Sequence, residues 1–155
     1  MAIDRVKRYF QSVGMGDCVM QFDVSSATVA EAAAAIGCQP CRIAKTLSFW
    51  VGDDVVLIVA AGDVKIDNAK FKARFAVKAK MLAYDEAEPR IGHAVGGVCP
   101  FAVNDGVKVY LDVSLKRFDT VYPACGSSSS AIELTLPQLE EHSFSLGWVD
   151  VCKQI

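Results

Sequence analysis

The stretch from Arg90 to Ala102 concentrates residues that can shape a ligand site. It reads Arg-Ile-Gly-His-Ala-Val-Gly-Gly-Val-Cys-Pro-Phe-Ala, with three glycines, a histidine, a cysteine and a proline close together. Gly96 and Gly97 can adopt positive φ angles and let a ligand approach bare backbone amides, whereas Pro100 restricts Cys99 to an extended conformation. We predict a backbone wall beside a cleft. A glycine-rich connection between a helix and a strand explains the composition equally well.

Lys45 is a charged residue on an apolar strand face. Arg42–Val51, a short turn and the apolar run Val55–Ala61 together predict a β-hairpin whose second strand is buried on both faces. By alternation, Lys45 lies on the same side as Ile43 and Leu47. A lysine there must extend to the sheet edge, pair with a carboxylate or face a cleft. The sequence alone favours the sheet edge.

The cysteines offer a competing chemistry. Cys38 and Cys41 form a C-x-x-C pair, but no second pair stands at ligand spacing, and His93 and His142 do not form a helical H-x-x-x-H motif. We therefore expect six reduced thiols in apolar sites, with no metal and no cofactor. The alternative is a thiol or metal protein built on the cysteines at positions 38, 41, 99 and 125.

Length and composition limit the class of protein. The chain has 155 residues, of which 52% are apolar, so we expect one domain spanning 1–155. The sequence has no apolar run long enough for a membrane span and no signal peptide, so we expect a soluble cytoplasmic protein. The net charge of −2 excludes general adhesion to nucleic acid. The basic segment Lys65–Lys80 is a local exception, which we interpret as a solvated helix face rather than a phosphate-binding surface.

Periodicity and turn residues predict more strands than helices. The predicted helices are at 3–13, 28–37, 68–75, 85–92 and 137–142. A Thr28–Glu31 capping box starts the second and Gly37 ends it, Asp67 caps the third, and Asp85–Glu88 is a capping-box-like start of the fourth. The predicted strands are at 19–22, 42–51, 55–61, 77–81, 107–111, 120–124, 131–134 and 148–152. Because short turns join most of these elements, we predict an α+β fold with a mixed, strongly curved, barrel-like β-sheet and helices packed outside it.

Three segments together resemble the YbaK-like family of aminoacyl-tRNA deacylases, which includes the editing domain of bacterial prolyl-tRNA synthetases. They are Arg42-Ile-Ala-Lys-Thr-Leu47, Gly92-His-Ala-Val-Gly-Gly-Val-Cys-Pro-Phe101, and Gly126-Ser127 with Ala131-Ile-Glu-Leu134. The resemblance covers nearly the whole chain. It implies the YbaK editing-domain fold and hydrolysis of the ester between a wrong amino acid and a tRNA. The implied partners are a tRNA acceptor end carrying a small amino acid and, as a further partner, prolyl-tRNA synthetase.

The resemblance also implies a set of site residues. Lys45 matches the family's functional strand lysine, and Gly96 and Gly97 belong to the turn that shapes the amino-acid pocket. The substrate-binding residues implied are Phe22, His93, Val98, Pro100, Phe101, Asp112, Gly126 and Ser127. We do not assign His93 as a catalytic base. The serine run 127–130 and the alanine at position 102 depart from the family pattern and leave the identity of the amino acid open.

The chemistry expected of this set depends on the backbone rather than on a side-chain nucleophile. The sequence contains no G-x-S-x-G motif and no convincing Ser-His-Asp set. Amides of the Gly96-Gly97 turn would bind the carbonyl oxygen as it gains charge, and a substrate ribose hydroxyl would orient the water. Lys45 would hold a phosphate or steady the oxyanion, and we favour the phosphate. The alternative function is a non-catalytic module that binds an RNA end or a small molecule.

Overall fold

The structure is a computed structural model that describes residues 2–155. None of the helices in this part of the chain is both long and apolar enough to cross a membrane. The helices are α1 (Ala2–Ser12), α2 (Val29–Ile36), α3 (Asn68–Phe75), α4 (Tyr84–Ile91) and α5 (Leu136–His142).

The strands are short except for the predicted hairpin. They are β1 (Met20–Gln21), β2 (Ile43–Val51), β3 (Asp54–Ala61), β4 (Val64–Ile66), β5 (Lys80–Met81), β6 (Lys108–Asp112), β7 (Thr120–Pro123), β8 (Ser130–Ala131), β9 (Leu134–Thr135), β10 (Trp148–Val149) and β11 (Cys152–Gln154). The strand predicted at 131–134 is wrong as a single element, because β8 pairs with β1 and β9 pairs with β7. The strand predicted at 148–152 is likewise two strands, because β10 pairs with β6 and β11 pairs with β4.

The main sheet is mixed and strongly curled into a half-barrel, which confirms the predicted α+β fold class. Its strand order is β10-β6-β3-β2-β7-β9, and β5 also pairs with β2. The β10/β6, β6/β3 and β2/β7 pairs are parallel, whereas the β2/β3 hairpin is antiparallel. The pairs β1/β8 and β4/β11 form two separate small sheets.

The core surrounds β3 on both faces. Every residue from Val55 to Ala61 is buried, as the unbroken apolar run predicts. Helix α1 packs Phe10 against Phe101, with ring centroids 5.0 Å apart, and α3 packs Phe71 against Phe49 at 4.9 Å. These aromatic contacts attach α3 to the sheet at β2 and α1 to the segment that precedes β6.

Local sequence signals fix the helix ends. The Thr28–Glu31 capping box precedes α2, and Gly37 ends that helix at φ 85°, both as predicted. Asp67 caps α3 by accepting from two backbone amides. The predicted start of the next helix at Asp85 is wrong: α4 begins after Ala83, whose N–H donates to Glu86 at 2.8 Å.

Asp112 joins three parts of the chain at the end of β6. It is 1% exposed, and its two carboxylate oxygens accept from the backbone N–H groups of Ser114 and Val151, each at 2.9 Å. A buried carboxylate is stable only when its oxygens are paired in this way. Asp112 therefore holds the turn after β6 and the C-terminal segment together.

Replacing Asp112 with alanine should lower the free energy of unfolding by about 3 to 5 kcal/mol, because the backbone N–H groups of Ser114 and Val151 lose a charged acceptor. Urea denaturation followed by circular dichroism measures this loss. The exposed Asp105 provides the matched control, and Asp105→Ala should change stability by less than about 0.5 kcal/mol. Equal effects for the two variants would contradict the structural role of Asp112.

Candidate active site

A cavity of about 260 Å³ opens beside β2. It is lined by Ile43–Leu47 of β2, by Ser26–Val29 at the start of α2, and by Gly96 and Val98. The other lining residues are Ala32, Tyr122, Ala124, Ser130 and Ala131. Sites for drug-sized ligands usually occupy about 300 to 1,000 Å³. The cavity is therefore sized for a small chemical group.

Lys45 lines the cavity from β2, opposite Ala60 of β3. Its side chain is half-buried, and its ammonium donates to the backbone carbonyl of Val64. Burial lowers the pKa of Lys45, and the nearby Cys152 and Asp63 oppose that fall. An ammonium group carries three donors, so one carbonyl acceptor leaves others for a ligand.

In the segment 92–101, hereafter the glycine turn, a hydrogen bond of His93 joins the two ends. The His93 Nε2 donates to the carbonyl of Phe101 at 2.7 Å, and the ring is fully buried. Burial lowers the pKa of His93 and favours the neutral ring, and the hydrogen bond to the Phe101 carbonyl opposes that fall. The Cys99 Sγ lies 3.5 Å from the same nitrogen, and burial raises the pKa of that thiol to about 12. Both side chains therefore support the turn from inside the core.

Gly96 and Gly97 face different sides of the glycine turn. Gly96 has φ 95° and lines the cavity, as does Val98, and within residues 2–155 their amides have no hydrogen-bond acceptor. The Gly97 amide instead donates to the carbonyl of Ala94 at 3.0 Å. A Cβ on Gly97 would lie 2.7 Å from the Ser127 backbone. Gly97 thus provides close packing, while Gly96 and Val98 present free donors.

The loop 126–130, hereafter the serine loop, packs behind the glycine turn. Ser127 Oγ donates to Ser130 Oγ at 2.9 Å, and Ser130 lines the cavity. The serine loop also accepts backbone hydrogen bonds from Phe22 at 2.8 Å and from Ser26 at 2.6 Å. These bonds hold the segment that enters α2 against the cavity.

The structure distributes the predicted site residues among three places. Lys45, Gly96 and Val98 line the cavity. Gly97, Gly126 and Ser127 line an adjacent open cleft. The residues that line neither are Phe22, His93, Pro100, Phe101 and Asp112.

Sequence reasoning missed several lining residues. They are Ser26, Thr46, Tyr122 and Ser130. The capping box at Thr28 marks the start of α2, but no local signal shows that this helix end lies beside β2. Two signals were available: Thr46 follows Lys45 directly in the matched segment, and Ser130 ends the serine run 127–130.

The cysteines differ in exposure. Cys38 and Cys41 are partly exposed, whereas Cys99 and Cys125 are buried. Across residues 2–155, no three His, Cys, Asp or Glu side chains form a group that could hold a metal ion.

Comparison with known proteins connects the cavity to a family. Residues 23–141 match the family model of the aminoacyl-tRNA editing domain. The chain belongs to this family. The matched range includes every residue that lines the cavity, from Ser26 to Ala131.

Relatives of this editing domain match over nearly their full length. The uncharacterized protein YwhH of Bacillus subtilis (strain 168) is 54% identical over 154 residues, which cover 99% of this chain and 98% of YwhH. A solved structure described as "a putative trans-editing enzyme for prolyl tRNA synthetase" is 25% identical, with a TM-score of 0.87 over 98% of this chain and 97% of that one. The hypothetical protein APE2540 is 25% identical, with a TM-score of 0.84 over 96% and 99%.

The cavity of the editing domain supplies donors without a side-chain base. Neither histidine lines it: His93 bonds to Phe101, and His142 lies 2.9 Å from the Tyr9 hydroxyl. The serines that line the cavity therefore have no imidazole to accept their protons. This arrangement suits attack by a water molecule better than attack by a serine.

Gly97→Ala should destabilise the editing domain more than Gly96→Ala. An alanine at position 97 collides with backbone, whereas at position 96 its nearest neighbours are at 3.6 Å, so only the positive φ is costly, at about 1 to 2 kcal/mol. Gly106→Ala is the matched control, because Gly106 also has a positive φ, 88°, and no neighbour within 4 Å of its Cβ position. The midpoint of thermal unfolding should fall most for Gly97→Ala. An equal fall in all three variants would refute the close packing between the turn and the loop.

Proposed function

We propose that the protein hydrolyses the ester bond of a mischarged tRNA that carries a small amino acid, such as Ala, Cys or Ser. Membership of the editing-domain family supports action on aminoacyl-tRNA. The observation that carries the hydrolytic role is a cavity lined both by Lys45 and by Gly96, whose amide has no acceptor among residues 2–155. The solved structure described as "a putative trans-editing enzyme for prolyl tRNA synthetase" supports prolyl tRNA as the carrier and prolyl-tRNA synthetase as a partner. We propose that the protein acts in the cytoplasm.

The proposed reaction is attack of water on the ester carbonyl. The amides of Gly96 and Val98 stabilise the negative charge that develops on the carbonyl oxygen, and each such donor is typically worth about 3 to 4 kcal/mol. The ester C–O bond then breaks, which releases the free amino acid and the 3′-terminal ribose hydroxyl. The neighbouring ribose hydroxyl of the substrate orients the water and relays a proton: it accepts the proton of the water while passing its own to the departing ribose oxygen. Gly97 contributes by holding the turn against Ser127.

Lys45 binds the phosphate that precedes the terminal adenosine. An ammonium is a compact point charge that suits a phosphate oxygen, and the fall in the Lys45 pKa is opposed by Asp63 and Cys152. The carbonyl of Val64 holds the ammonium in position before the substrate arrives.

Selectivity follows from the size of the cavity. A side chain that fits enters and is hydrolysed, whereas a larger one collides with the lining and escapes hydrolysis, as in the second sieve of editing enzymes. This correction is needed because one missing methylene changes binding by only about 1 to 3 kcal/mol, too little for accurate charging.

Two cations of the basic segment have partners within the protein. Lys70 pairs with Asp150 at 3.1 Å, and the Arg74 guanidinium lies over the rings of Phe75 and Tyr110. The other exposed lysines of this segment are at positions 65, 72, 78 and 80. They are available for weak contact with the tRNA backbone, and tight docking would then need the synthetase.

Replacing Lys45 with alanine should slow release of alanine from alanyl-tRNAPro by at least about 100-fold, because the substrate phosphate loses its charged partner. Release of radiolabelled alanine measures the rate. Lys153→Ala is the matched control, because Lys153 is exposed on β11, and this variant should keep the wild-type rate.

A normal rate in the Lys45→Ala variant would contradict the proposed role of this lysine. A gel-shift measurement beside the rate separates the alternative function. If wild-type protein binds alanyl-tRNAPro without releasing alanine, the protein is a binding module and the hydrolytic proposal fails.

A further inference from the structure

We propose that Tyr122 sets the largest amino-acid side chain that the cavity accepts. This inference rests on the proposed function and adds the residue that limits the substrate. Tyr122 lies on β7 and lines the cavity. In the parallel pairing of β7 with β2, it stands opposite Ile43, which lines the same cavity.

Tyr122 belongs to an apolar corner of the cavity. Ala32, Ala33 and Ile43 form a small buried cluster, and Val29 and Tyr122 pack against it. Four of these residues also line the cavity: Val29, Ala32, Ile43 and Tyr122. An apolar corner takes a hydrocarbon side chain and gives no partner to a charged group. The substrate's side chain therefore belongs in this corner.

The Tyr122 ring is held in place by polar groups. Its hydroxyl donates to Glu133 Oε2 at 3.1 Å, and the Arg42 guanidinium carbon lies 5.0 Å from the ring centroid. Arg42 and Thr120 donate to the same carboxylate oxygen at 3.3 and 2.7 Å. The Arg42 and Glu133 side chains are 32% and 48% exposed, so this ion pair adds little to stability. Its main effect is to fix the orientation of the ring.

Lys45 and the Tyr122 ring line the same cavity from adjacent strands. Lys45 lies two residues beyond Ile43, so the two side chains leave the same face of β2, with Cα atoms about 7 Å apart. A substrate whose phosphate is held at Lys45 places its ribose and ester along the cavity, and its amino-acid side chain lies in the corner that the ring closes. A methyl or hydroxymethyl side chain fits beside the ring, and a longer branched side chain collides with it.

The test uses stable amide analogues of the aminoacylated terminal adenosine that carry alanine, valine or leucine. Isothermal titration calorimetry should show that wild-type protein binds the alanine analogue at least about tenfold more tightly than the leucine analogue. Tyr122→Ala should remove this preference, whereas Tyr122→Phe should keep it because the ring remains. Tyr84→Ala is the matched control, because Tyr84 is 79% exposed, and it should keep the wild-type order.

Tyr122→Val provides a second test if Tyr122→Ala fails to fold, and it should also admit the larger analogues. A wild-type order of affinities in either folded variant overturns the proposal, as does a wild-type protein that binds no analogue. Because the amide analogues are bound without being hydrolysed, this experiment tests the size limit set by Tyr122 independently of the proposed hydrolysis. Selective binding that depends on Tyr122 upholds the size limit even where alanyl-tRNA is not hydrolysed.

Discussion

The close backbone contact between Gly97 and Ser127 is the constraint on which the rest of the site depends. The two loops approach so closely that there is no room for a Cβ on Gly97. With the His93 to Phe101 hydrogen bond between its two ends, the glycine turn has little freedom to move away from the serine loop. Gly96 consequently stays at the cavity with its amide unpaired among residues 2–155.

The reactive side chains of the glycine turn are not the groups that line the cavity. His93 and Cys99 are the conspicuous side chains of the glycine turn, yet both are buried, and burial raises the pKa of the thiol to about 12. Gly96 and Val98 have no reactive side chain, but both line the cavity, and their amides have no acceptor among residues 2–155. An amide held rigidly needs no reorganisation as charge develops, so a rigid turn is an advantage in the proposed mechanism.

Sequence patterns were accurate where the determinants are local. The capping box at Thr28, the Asp67 cap and the β2–β3 hairpin each depend on residues a few positions apart, and all three are confirmed. The strand predicted at 131–134 failed because its two halves pair with different distant strands. Resemblance singled out Lys45 and the glycine turn. No local pattern could show that Tyr122 lies opposite Ile43, since that proximity exists only once β7 pairs with β2.

The most direct test of the account is deacylation of a set of tRNAPro molecules charged with alanine, serine, cysteine, proline or leucine. The account predicts that alanyl-, seryl- and cysteinyl-tRNAPro are hydrolysed at least about 100-fold faster than in buffer, whereas prolyl- and leucyl-tRNAPro stay intact. Release of no amino acid above the buffer rate would contradict the proposed hydrolysis. Equal release of all five would contradict the selection by size that the cavity is proposed to provide.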